Sequence, residues 1–191
     1  MKEYLDSIVL AISTMAGAYF GSKWAHEFAL NERKRDERID SLKEVKREVM
    51  LSYRKSVDYA DLFLALLYQI EKSHGAISAY SSGKLYDVVH GMKLEIMNIE
   101  DQTLELEDED KDIEAEINHL TRLMKEDYTV MEQFLYKVMA LHDSAIQEAE
   151  RKDTEAKHQE LIEAIRKVEL DFIKVSEKQI VLAIHNKIKK M

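Results

Sequence analysis

Not one of the 191 residues is proline and only five are glycine, so almost nothing along the chain stops a helix once it has begun. Sheet-rich folds spend both residues freely on turns. With 34% charged and 46% apolar residues, the chain fits long amphipathic helices. The sequence therefore predicts an all-α protein. Its two expected parts are a transmembrane anchor over residues 1–24 and an antiparallel bundle of about four long helices over 25–191.

The bundle follows from apolar spacing at alternating steps of three and four. From Ala25 to about Lys72 no breaker intervenes, and Leu42, Val49, Tyr53, Ser56, Ala60, Phe63, Leu67 and Ile70 form one seam. Leu62 to Leu67 is apolar on more than one face and is expected to be the most buried stretch. Gly75 and Ser81-Ser82-Gly83 mark the first break, followed by a helix with Leu85, Val88, Val89, Met92, Ile96 and Ile99 inward. A third helix starts near Asp110–Asp112 and carries Ile113, Ile117, Leu120, Met124, Met131, Leu135, Val138 and Leu141. The last begins near Asp153 or Thr154 and runs to the end through Leu161, Ile165, Val168, Phe172, Val175, Leu182 and Ile188. Lys187, Lys189 and Lys190 then complement its C-terminal dipole. The methionines, Met97 and Met139 among them, read as core filling rather than a cofactor box.

The anchor is expected over Leu5–Trp24. Sixteen residues from Ser7 to Ser22 carry no charge, and twenty helical residues reach about 30 Å, the thickness of a bilayer's hydrocarbon core. Tyr4 and Trp24 stand where interfacial aromatics belong. Arg33-Lys34-Arg35 and Arg38 outweigh Lys2 on the other side, so the positive-inside rule puts the N-terminus outside and the body in the cytoplasm. Three rival readings of the segment stand beside the span. A cleaved signal peptide wants a positive n-region, which MKEYLD is not. A buried soluble helix could also be apolar all round. A surface-lying amphipathic helix is disfavoured because the segment has no charged face. Ser13, Gly17, Gly21 and Ala25 repeat every four residues, the small-residue spacing that lets membrane helices approach and self-associate.

Few residues offer chemistry. No cysteine is present, which removes disulfides, zinc thiolates and a cysteine nucleophile. The net charge of −9, concentrated between Glu100 and Glu116, argues against a nucleic-acid partner. Two Glu-x-x-His pairs, Glu116–His119 and Glu155–His158, have di-iron spacing, but sit near the starts of consecutive helices, at opposite ends of an antiparallel hairpin. No metal site and no cofactor are expected.

Leu5 to Trp24, the RKRDER exit at Arg33 to Arg38, and the helical remainder with Arg151 and His158 together resemble small single-pass accessory membrane proteins of type VI-B CRISPR and phage-defence systems. That resemblance implies a divergent HEPN-like helical domain, with Arg151 and His158 as its Arg-x4–6-His pair, and oligomerisation into a membrane pore. Ser13, Gly17 and Gly21 would then lie at protomer contacts, with Asp6, Ser13 and Thr14 as the polar pore-lining candidates. The leading expectation is a non-enzymatic homo-oligomer of the bacterial inner membrane that perturbs or permeates the bilayer. Two further readings stay open: a membrane-tethered adaptor or sensor that docks a cytosolic protein, and a HEPN-like nuclease.

Overall fold

The computed structural model describes residues 2–73, 79–104, 106, 110–146, 151–175 and 177–191. Among them are five α-helices and no strand: α1 (Lys2–Lys72), α2 (Ala79–Leu104), α3 (Lys111–Ile146), α4 (Arg151–Ile165) and α5 (Glu177–Lys190). A 3-10 turn, Phe172–Lys174, lies between the last two. The expected anchor and first body helix are one uninterrupted helix of 71 residues, roughly 105 Å long at 1.5 Å per residue.

α1 and α2 run antiparallel. Lys55 reaches Glu95 at 3.3 Å, and four residues further along α1 the Tyr59 ring lies against Gly91, four residues back along α2. A Cβ at position 91 would run into the far end of that ring, which would have to shift. α3 packs beside α2, while α4 and α5 fold back against α1 and α3. The core forms where the stripes meet. Every position expected on the α1 seam and on the α2 and α3 stripes is buried. Aromatic edges close it, with Phe63 against Phe134 at 6.3 Å and Tyr53 against Phe172 at 6.4 Å, both T-shaped.

The expected fourth helix is corrected to two. Between Ile165 and Glu177 the chain leaves the helix and is pinned by distant partners. Asp127 on α3 accepts the Phe172 N–H at 2.8 Å, and the Tyr53 hydroxyl donates to the Val175 carbonyl at 2.8 Å. The interruption resets the helical phase, so Ile184 is buried and Leu182, expected inward, is 53% exposed. Leu62, Met97 and Met139 are likewise exposed rather than core-filling. Each lies on the outer face of a helix whose inner face is already filled. α2 begins at Ala79, so Ser81, Ser82 and Gly83 are helical, and Gly75 lies outside the described residues.

Candidate functional site

Among the residues whose side chains are described, the bundle covers α1 from Arg38 onward; from Gly17 to Glu37 every side chain or glycine is exposed. The helix leaves the body as an arm whose root is held by ion pairs. Arg38 meets Asp110 at 3.1 Å, and Lys187 of α5 meets the same carboxylate oxygen at 3.4 Å and Asp112 at 3.4 Å. Asp110 is 2% exposed, so two cations compensate a buried charge that would otherwise be costly. Partial burial works to raise the Asp112 carboxyl, but the Lys187 ammonium and nearby backbone N–H groups outweigh it and hold the group below its usual range. Lys187 thus serves the arm root as well as the dipole of its own helix.

Beyond the root, large apolar side chains stand bare. Phe20, Trp24 and Phe28 are 59%, 74% and 66% exposed, and their spacing of four puts them on one face as a ridge. Gly17, Gly21 and Ala25 form the adjacent row, a groove in which neither glycine has an atom within 4 Å of where a Cβ would stand. A ridge beside a groove along the same i±4 direction is the surface shape that helices interlock. The ridge also extends the bundle's own seam. Steps of three and four lead from Phe20 through Trp24, Phe28, Asn31, Arg35 and Arg38 into Leu42, Val45 and Val49, which are buried. The arm is therefore core-type helix without a core around it.

The remaining sequence candidates are dispersed. Thr14 and Ala25 are exposed, whereas Asp6, Ser13 and Arg151 lie outside the residues whose side chains are described. His158 is half-buried on α4. A cavity lined by Ala140, Leu141, Lys157 and Leu161 sets the level at which α3 and α4 pack. His158 is therefore level with Ala140, about 30 Å along α3 from His119. His119 lies 3.2 Å from Arg122 through Nδ1. The two Glu-x-x-His pairs do not converge, and among the described residues no group of three His, Cys, Asp or Glu could hold a metal ion. Tyr128, hydrogen-bonded to Glu132 at 2.7 Å, is pushed up to about 12 by burial and by that carboxylate. It stays a phenol at neutral pH.

Among the described residues no helix is long and apolar enough to cross a membrane. The span expected over Leu5–Trp24 lies partly on residues whose side chains are not described; Lys23 near its end, and His26 and Glu27 just beyond it, interrupt the apolar run. No family model, curated protein or solved structure matches the chain. The resemblance to defence-associated membrane proteins accordingly rests on architecture alone. The aromatic ridge is the feature that sequence reasoning misses. Its signal is an i, i+4, i+8 row of Phe, Trp and Phe beside the small residues.

Proposed function

We propose that this protein is a membrane-anchored, self-associating, non-enzymatic assembly unit, in which the α1 arm enters the bilayer and packs against arms of other copies. The carrying observation is the arm itself, a core-type helix with its Phe20, Trp24 and Phe28 ridge and its Gly17, Gly21 and Ala25 groove uncovered. Large apolar side chains clustered on one helix face gain by leaving water, about 25 cal/mol per Å² buried. The uncharged run from Ser7 to Ser22 supports lipid as the medium, and the groove supports a second arm as neighbour. The basic exit at Arg33 to Arg38 favours a cytoplasmic body. Gathered arms would perturb the bilayer, with Thr14 among the polar groups facing any enclosed water.

Two variants of the full chain test this reading. Gly17→Leu/Gly21→Leu fills the groove, and light scattering in detergent should show a fall from oligomer toward monomer. Phe20→Glu/Trp24→Glu should abolish flotation with lipid vesicles. An unchanged mass in the first and unchanged flotation in the second would sink the proposal. Dye release from loaded vesicles separates a permeating cluster from a passive tether.

A further inference from the structure

α5 has 14 residues, a length at which a helix is marginal on its own and depends on its packing. That packing is thin. Among its described residues Ile184 is the one buried side chain, whereas α2 buries a row of apolar side chains from Leu85 to Ile99. Nor does α5 close against α1 along its length. A cleft of about 870 Å³ stays open between them, with Met50, Leu51 and Arg54 on one wall and Val181 on the other. A second, of about 640 Å³, opens at the tip, between Arg38 and Ser41 of α1 and Met191. The order of these contacts sets α5 antiparallel to α1, with its tip at the arm root.

The two ends of α5 are held in different ways. At the entry, Phe172 is fully buried, its ring edge on Tyr53 and its N–H on Asp127. The Tyr53 hydroxyl then donates to the Val175 carbonyl. Val175 is extended, with φ −71° and ψ 125°, so no helical link carries stiffness from the buried turn into α5. At the tip the hold is electrostatic. Lys187 meets Asp110 and Asp112, each at 3.4 Å, longer than a tight charge-assisted hydrogen bond. Elements with few buried apolar contacts open at lower free energy than the core around them. We infer that α5 is a hinged flap: fixed at Val175 and latched by Lys187, it swings off the body as a unit and bares Met50 and the seat of Ile184 next to the arm root. Lys187 shares the Asp110 carboxylate with Arg38, so opening also removes one of the two cations at the point where the arm begins. Only the use of the flap rests on the arm reading. Apolar surface bared beside the arm adds to what copies gathered through their arms can bury.

Amide exchange on the full chain reads the flap directly. Residues 181–190 should exchange together, about tenfold faster than the amides of α2 and α3. Lys187→Glu sets a carboxylate against Asp110 and Asp112 and should speed them about tenfold again, with the α2 and α3 rates unchanged. The chain has no cysteine of its own, so Lys187→Cys and Asp112→Cys can be joined by a short bismaleimide, which should slow residues 181–190 to the α3 rate. An Ile184→Cys thiol should react with a water-soluble maleimide faster when Lys187→Glu is added. Exchange of 181–190 no faster than α2 would mean that α5 opens only with the whole bundle, and would overturn the inference. A rate that climbs residue by residue toward Lys190 would mean fraying from the end and do the same, as would equal acceleration of α2 and α3 by Lys187→Glu. In detergent Lys187→Glu should raise the oligomer's mass, and an open flap with unchanged mass would refute the use assigned to it. Gly17→Leu/Gly21→Leu should leave the exchange rates unchanged, so failure of the flap and failure of the arm reading are distinguishable.

Discussion

Replacing Asp127 by alanine should release the segment that joins α4 to α5. The Asp127 carboxylate is the acceptor for the buried Phe172 N–H, and the residue is 4% exposed. Alanine leaves that N–H without a partner away from water, a loss of about 1–3 kcal/mol. Taking about 2 kcal/mol, the melting midpoint of a chain this long falls by roughly 4–8 °C. Asparagine keeps an acceptor oxygen at the same place and should cost about 1 kcal/mol or less. Burial raises the Asp127 carboxyl above its ordinary value, against the pull of the Phe172 and Asp171 backbone N–H groups. A raised folded-state pKa means a stabilising contribution present in full below the unfolded value and lost as pH rises through the folded one. Wild type should therefore gain on Asp127→Asn as pH is lowered from neutral toward about 4, because the asparagine does not titrate. Urea unfolding at the two pH values measures this, with amide exchange at Phe172 reporting local release. If alanine matches wild type, or asparagine costs as much as alanine, the assigned role of Asp127 is wrong.

Packing and charge set three more outcomes. Asp110→Ala removes the buried carboxylate that joins Arg38 to Lys187, while Lys187 keeps Asp112, and should cost about 1–3 kcal/mol by denaturant titration. Phe63→Ala removes a fully buried ring and its edge contact with Phe134, for about 3–5 kcal/mol in the same assay. Gly91→Ala should destabilise by about 1–3 kcal/mol through overpacking on Tyr59. In a Tyr59→Ala background it should instead gain up to about 1 kcal/mol of helix propensity, a reversal that a double-mutant cycle reads directly.

Most of the bundle is legible in spacing alone. The α1 seam, the α2 stripe and the α3 stripe depend on local periodicity, and each helix presents them whatever its neighbours do. The end of α4 is not legible, because no glycine or proline marks it. Asp127 and Tyr53 impose it from other helices, and nothing near Arg166 in sequence announces them. Leu182 falls outside the core for the same reason, since phase counted through residues 166–175 no longer holds after a break. The arm root is hidden by distance along the chain. Arg38, Asp110 and Lys187 look like three unrelated surface charges until the fold brings them together. The outer face of α2 escapes by a different route. Periodicity shows that Met97 and Leu104 are apolar, but not that the inner face of α2 already fills the core without them.

α1 carries no hinge between Phe20 and Val49, and its uncovered ridge and its buried seam share one azimuth. Two parallel arms meeting squarely on their ridges would force both bodies into the same volume. Contact over Gly17 and Gly21 lies to one side of that azimuth and favours crossing at about 40°. At such an angle helices that touch at Gly21 are splayed by about 20 Å at the level of Leu42, some twenty residues on. The bodies would fan outward from a narrow waist, and the number of copies around it would be limited by the girth of the bodies rather than by the arms.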